Sequence, residues 1–272
     1  VPLRGGVIWS PFVRPHSDPR LWRATPLDSI LQAKTLWGFI IHAEKKCGTR
    51  DKMAYKTKVH QNPDKQGHSP SCDRILPAHP FRWGLFSGGP GRGKRNLVLC
   101  VLHHIMTKDA PYDTITIIHL DKTTKEYEIL EDSAPIFRLL TIEEDGVPDP
   151  EMWNPDRRNL LIIDEINHGG LTRAETGALS RLFGYASTHK NLSIILQAQC
   201  AFETSPQIRR YLNMVTLWDQ GIKQTEGLYS RLVGEPLGKY FRLCGSKYDS
   251  VTLDFSQDGP RFRLNYFTKI DT

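Results

Sequence analysis

Ser87-Gly88-Gly89-Pro90-Gly91-Arg92-Gly93-Lys94-Arg95 is the stretch on which the reading of this 272-residue chain turns. Phe81-Arg82-Trp83-Gly84-Leu85-Phe86 before it reads as a buried strand. Asn96-Leu97-Val98-Leu99-Cys100-Val101-Leu102 after it opens a helix with apolar spacing. Strand, glycine-rich loop and helix in that order form a cradle for phosphate. The glycines let backbone N–H groups turn inward, the helix N-terminus adds positive potential, and Lys94 supplies a point charge. Gly88, Gly89, Pro90, Gly91, Arg92, Gly93, Lys94, Arg95 and Asn96 are therefore the candidate nucleotide-binding residues. Arg95 departs from the pattern, which places Ser or Thr there to ligate Mg²⁺. Nucleotide binding is thus expected, and hydrolysis is the open question.

The second half of a nucleotide site appears about 70 residues downstream in Leu160-Leu161-Ile162-Ile163-Asp164-Glu165. Four apolar residues predict a fully buried strand whose carboxyl end projects Asp164, a candidate for directing Mg²⁺, and Glu165, a candidate for polarising the attacking water. Such a pair alone also serves as a helix cap; its position behind a phosphate loop favours the chemical role. Further on, Ser193-Ile194-Ile195-Leu196-Gln197-Ala198-Gln199 ends in amides at the strand's carboxyl edge, where ligands sit in open α/β sheets. Gln199 is the candidate reporter of the γ-phosphate. Either Gln197 or Gln199 alternatively caps the segment that follows.

From Phe81 onward, apolar strands alternate with helical patterns. Strands are predicted at Phe81–Phe86, Ile115–His119, Asn159–Asp164, Ser193–Gln197 and Met214–Trp218. Helices are predicted from Lys94, over Arg173–Ser187 and near Ile208–Leu212, and an acidic stretch of mixed character runs to Asp149. That alternation predicts an α/β P-loop NTPase fold with a mainly parallel central sheet flanked by helices. Val251–Phe255 and Arg261–Phe267, joined by a Gly-Pro turn, predict a C-terminal β-hairpin. Prolines at 63, 70, 77 and 80 set a boundary that separates an extension over residues 1–79 from an ATPase domain over residues 80–272.

The extension holds the positive charge. Val1 to Pro80 carries 13 Lys/Arg against 6 Asp/Glu, and the remainder carries 23 against 24, so the net +6 arises entirely in the first third. Lys45, Lys46, Arg50, Lys52, Lys56 and Lys58 form its densest cluster, suited either to a phosphate backbone or to a solvated arm. One helix is predicted there, over Pro26–Ile41. Cys47, His60, His68 and Cys72 number enough for a zinc site, but their spacing fits no standard pattern. His103 and His104 read as a polar helix face, and Cys100 and Cys200 as packing residues. Five scattered cysteines argue against a disulfide framework. No apolar run reaches the ~18 residues of a membrane span, and the first 20 residues lack a signal-peptide layout. The expectation is no membrane association and no secretion.

The order of these motifs, with His189-Lys190-Asn191-Leu192-Ser193 leading into the Gln199 strand, Arg209-Arg210-Tyr211-Leu212-Asn213 after it, and Leu228-Tyr229-Ser230-Arg231 near the end, resembles the virus-type genome-packaging ATPases of the FtsK–HerA superfamily. The resemblance is to those of poxvirus-like viruses and Polinton/Maverick elements, and covers about Pro80 to Ile270. It implies ATP and Mg²⁺ as ligands, double-stranded DNA as substrate, a homo-oligomeric ring, and capsid portal or vertex proteins as partners. It also implies a location in host cytoplasm, host nucleus or virion. Lys94, Asp164, Glu165 and Gln199 match the family's phosphate-binding lysine, metal-directing acid, catalytic acid and sensor amide. Arg209 and Arg210 are candidates for an arginine acting across a subunit boundary, with Arg173 and Arg181 behind them. Arg95, and Thr188 ahead of His189, depart from the family. Alternative readings are a nucleotide-binding protein with weak or lost hydrolysis, or a related DNA helicase or partition ATPase.

Overall fold

The computed structural model describes residues 79–107, 112–119, 125–165, 170–218, 223–256, 261–266 and 268–270. The basic cluster, the Pro26–Ile41 helix, the Cys47, His60, His68 and Cys72 set, and the extension as a unit lie outside the described residues, as do the side chains of His103 and His104. Nine strands form one sheet: β1 (Arg82–Phe86), β2 (Thr114–His119), β3 (Phe137–Thr141), β4 (Asn159–Asp164), β5 (Leu192–Ala198), β6 (Met214–Trp218), β7 (Ser250–Asp254), β8 (Arg261–Leu264) and β9 (Thr268–Ile270). Their order is β3-β2-β4-β5-β1-β6-β7-β8-β9. The first six are mutually parallel, and β7, β8 and β9 extend the sheet antiparallel from β6. This is the predicted P-loop α/β architecture, with the C-terminal hairpin enlarged by a third strand. Among the described residues, no helix is long and apolar enough to cross a membrane.

The central strands are apolar without alternation because both faces of the sheet are covered. On β4, Leu160 and Ile162 join the core beneath the Lys94–Thr107 helix with Val98, Val101, Leu102 and Ile105. Leu161 and Ile163 join the opposite core with Leu179, Leu182, Phe183 and Tyr229. All four strand residues are fully buried, and burial of each such side chain contributes about 1.5–3 kcal/mol.

Three local features differ from expectation. The acidic stretch before Asp149 contains a helix (Lys125–Ser133) and the edge strand β3, paired parallel with β2. Its FRLLT sequence has an exposed Arg138 beside buried Leu140, and the strand is short, so its apolar signal is faint. The helix begun at Arg173, capped by the reciprocal Thr172–Glu175 pair, widens into a π-helical turn at Leu182–Ala186 before ending at His189. Within that turn Gly184 lies so close to Tyr211 that an added Cβ would stand 2.9 Å from the phenol oxygen. Cys100 and Cys200 are only partly buried. The Cys200 sulfur accepts from the backbone N–H of Phe202 at 3.4 Å, a capping role in place of a packing one.

Gly84 sits mid-strand in β1, between β5 and β6. A Cβ there would stand 2.7 Å from Leu212 Cδ1 and 2.9 Å from Phe86 Cε2. Gly84→Ala is therefore expected to cost about 1–3 kcal/mol by overpacking and to lower Tm by about 2–10 °C. Calorimetry on the variant checks this; an unchanged Tm would mean that Leu212 and the Phe86 ring yield freely.

Candidate nucleotide site

The sheet register assembles the site. His119 of β2 pairs with Asp164 of β4, Asp164 with Gln197 of β5, and Gln197 with Leu85 of β1. Groups far apart in sequence therefore share the carboxyl edge, beside the loop that follows β1. Parallel pairing with a helix after each strand leaves this edge open to ligands.

The loop has the conformation that its glycines permit. Gly88, Gly91 and Gly93 take φ values of 73°, 68° and 95°, a region costly for other residues. Ser87 Oγ donates to the Gly89 carbonyl at 2.7 Å, and the Gly88 N–H donates to the Gln199 carbonyl at 2.8 Å. β5 thus anchors the start of the loop. An added Cβ would meet nothing within 4 Å at Gly89 or Gly91, so the backbone there faces open space. The Lys94–Thr107 helix starts directly behind. At Gly93 the neighbour is the Tyr248 ring, 3.7 Å from an added Cβ.

Lys94 is 6% exposed, and its ammonium has no accessible surface. It lies against the Glu165 carboxylate without the alignment of a hydrogen bond. A buried cation that a half-exposed carboxylate neutralises, behind a glycine loop with room in front of it, fits a phosphate ligand. Glu165 is itself held at φ 52°, in the left-handed region, and is 41% exposed. Its N–H donates to the Gln197 carbonyl at 3.3 Å, the last contact of the β4–β5 ladder before the chain bends away. Strain of this kind at a strand terminus is characteristic of functional positions.

Asp164 is 2% exposed and surrounded by partners. Arg95 Nε lies 3.4 Å from its Oδ2, His119 Nε2 lies 3.5 Å from the same oxygen, and the Tyr127 hydroxyl hydrogen-bonds to the carboxylate. The Arg95 guanidinium carbon stands 5.7 Å from the Tyr127 ring centroid, and the His119 ring meets Tyr127 edge-on at 5.7 Å. Burial pushes the Asp164 carboxyl above its ordinary value, and the Arg95 charge is foremost among the influences pulling it back. Burial works against the Arg95 charge, yet Asp164, Tyr127 and Glu126 together more than offset this and hold the guanidinium more firmly protonated than usual. Burial also raises the Tyr127 hydroxyl, which stays neutral. Gln197, fully buried, points Nε2 at the Tyr127 oxygen from 3.5 Å, while its Oε1 has no hydrogen-bond partner.

The loop residues, Lys94, Arg95, Asp164, Glu165 and Gln199 thus meet at one edge. Pro90, Gly91 and Asn96 are exposed on the loop and first helical turn, and Arg92 is partly buried. Gln199 contributes its carbonyl to the loop and has an exposed side chain. Arg209 and Arg210 lie on the Pro206–Tyr211 helix. Arg209 donates to the Ala201 carbonyl at 3.1 Å and stacks over Phe202 at 4.6 Å, so its own subunit occupies it. Arg210 is exposed at the helix end, and Arg173 and Arg181 are exposed on theirs. His119, Tyr127 and Tyr248 are site residues that motif spacing does not single out.

Mg²⁺ fares differently from phosphate. The position that usually supplies a hydroxyl supplies a guanidinium, and that guanidinium is seated on the one carboxylate expected to direct the ion. Mg²⁺ needs near-octahedral oxygen ligation, and the residues present do not fit it.

No protein-family model matches the chain, and no curated protein matches it by sequence. Solved structures similar to it include B204, the DNA-packaging ATPase of Sulfolobus turreted icosahedral virus, 14% identical over 67% of this chain and 96% of that one, with a TM-score of 0.47. B204 from Sulfolobus turreted icosahedral virus 2 in complex with ATP-gammaS gives the same values. The pCW3 conjugation coupling protein TcpA is 14% identical over 68% of this chain and 60% of that one, with a TM-score of 0.45.

Proposed function

We propose that this chain is an ATP-driven motor that translocates double-stranded DNA, of the kind that packages viral genomes, working as a homo-oligomeric ring. The observation that carries the reading is the meeting of Lys94 and Glu165: the phosphate-loop lysine and the acid that ends β4 touch at the carboxyl edge. An arriving γ-phosphate competes with Glu165 for Lys94. Once displaced, Glu165 is free to accept a proton from water as the water oxygen attacks the γ-phosphorus, the bond to the bridging oxygen breaks, and ADP leaves. Gln199, fixed to the loop through its carbonyl, is placed to report the phosphate, and exposed Arg210 is the better of the two arginines to act on a neighbouring subunit.

The DNA substrate, the ring, the capsid partners and a location in host cytoplasm, nucleus or virion rest on the motif order and on the basic first third of the sequence. Turnover of ATP by the full chain, measured with and without double-stranded DNA, tests the reading. DNA-stimulated phosphate release is expected; turnover indifferent to DNA would remove the motor assignment.

One observation favours a second reading, a nucleotide-binding protein with slow hydrolysis. Arg95 stands on Asp164. Lys94-dependent ATP binding without phosphate release, under either condition, would select it.

A further inference from the structure

Each of the two helix-start cations is paired with one of the two carboxylates that end β4: Lys94 with Glu165, and Arg95 with Asp164. The pairs differ in depth. Glu165 is 41% exposed and can swing into solvent when phosphate takes its lysine, whereas Asp164 is 2% exposed and has no such route. It is held from three sides, by Arg95 on the helix, His119 on β2 and Tyr127 on the Lys125–Ser133 helix. Arg95 alone of these reaches from the phosphate loop, with 41% of its side chain exposed.

We infer that Arg95 stands in for the divalent cation, so that this site binds a nucleoside triphosphate without metal, the guanidinium bridging the buried Asp164 carboxylate and the phosphate oxygens. The inference rests on the nucleotide-binding part of the function proposed above. Two physical arguments support it. A guanidinium is a planar fork with five donors, so Nε can remain on Asp164 while the terminal nitrogens serve an anion bidentately. A divalent ion brought to the same carboxylate would instead stand within contact range of a fixed positive charge, beside an acid that is 2% exposed, where repulsion is poorly screened. The guanidinium carbon, 5.7 Å from the Tyr127 ring centroid, also gains a cation–π attraction that favours this seat before any ligand arrives. Among the described residues, no group of three or more His, Cys, Asp and Glu is arranged to hold a metal ion.

The test is equilibrium binding of a fluorescent ATP analogue to the full chain, in excess Mg²⁺ and in excess EDTA, for the natural protein, Arg95→Ser, Arg95→Lys and Lys94→Ala. The natural protein is expected to change affinity by less than about fivefold between the two conditions. In EDTA, Arg95→Ser is expected to bind more weakly than the natural protein by about tenfold or more, and to recover on addition of Mg²⁺, because the hydroxyl restores a metal ligand and removes the repelling charge. Arg95→Lys should fall between them, keeping the charge and losing the fork. Should Arg95→Ser fail to fold, the natural protein's two affinities and those of Arg95→Lys still decide the matter. Binding by the natural protein that weakens by fivefold or more in EDTA overturns the inference, and so does an Arg95→Ser variant as tight as the natural protein in EDTA. Either of those results, with binding still lost in Lys94→Ala, leaves the nucleotide site standing. No Lys94-dependent binding in either condition removes the site and the inference together.

Discussion

Lys94→Ala is expected to weaken ATP binding by about 100-fold, measured by titration calorimetry. A hydrogen bond from a charged donor is worth about 1.5–3 kcal/mol, which converts to about 10- to 150-fold. The variant also leaves the Glu165 carboxylate facing the incoming phosphate with no cation between them, which moves the result toward the upper end. Backbone N–H groups of the loop cannot compensate, because they are fixed by the anchoring of Gly88 to Gln199 and by the helix start, and they carry only partial charge. The fold should tolerate the change. Lys94 is a buried cation whose partner is partly solvated, an arrangement in which the cost of desolvation offsets much of the attraction. A variant that melts like the natural protein and keeps its ATP affinity would show that the loop is not the nucleotide site.

The parts of this molecule that could be read from sequence are those in which one residue type has one structural use. Leu160–Ile163 must be a doubly covered strand, because four consecutive apolar side chains have no exposed face. Gly88, Gly91 and Gly93 take left-handed conformations that few other residues tolerate, which is why a run of glycines there marks a tight loop. Edge strand β3 was harder to see, because Arg138 interrupts its apolar pattern and one side of an edge strand has no partner. The π-helical turn at Leu182–Ala186 has no signal in the apolar spacing of its helix; Gly184 within it leaves room for Tyr211 from another helix.

The same distinction runs through the site. Lys94 and Glu165 carry motif signals of their own. His119 and Tyr127 do not, because only the placement of β2 next to β4, and of the Lys125–Ser133 helix beside that strand, brings them to Asp164. The identity of Arg95 announced a missing hydroxyl. Its seat on Asp164 required the depth and direction of a carboxylate 69 residues away, and those exist only once the sheet is formed. Gln197 is a related case. Its sequence position allows either an amide at the ligand edge or a cap for the next segment, and the fold buries it behind Tyr127 with one oxygen unpaired. It is built into the same chain of contacts that holds Asp164.

Glu165→Gln is expected to reduce ATP turnover by about 10²–10⁴-fold, the usual contribution of a positioned general base, while ATP affinity rises slightly. The two effects share one cause. On the proposed function the carboxylate performs two incompatible tasks, neutralising Lys94 in the absence of nucleotide and accepting a proton once nucleotide has displaced it. An amide cannot accept that proton, so the chemical step stalls. Nor does it compete well for an ammonium, so phosphate no longer has to break an ion pair to reach Lys94. That pair joins a buried ammonium to a half-exposed carboxylate, an arrangement in which desolvation offsets much of the attraction, so the gain is expected to be about fivefold or less. Side-chain size and the left-handed φ of 52° are unchanged by the substitution, so the local backbone should be retained. Single-turnover phosphate release and equilibrium binding on the same preparation measure both quantities. Turnover that survives would assign the base to another residue. Turnover lost together with a weaker affinity would instead mean that Glu165 supports the loop and is not the group displaced from Lys94.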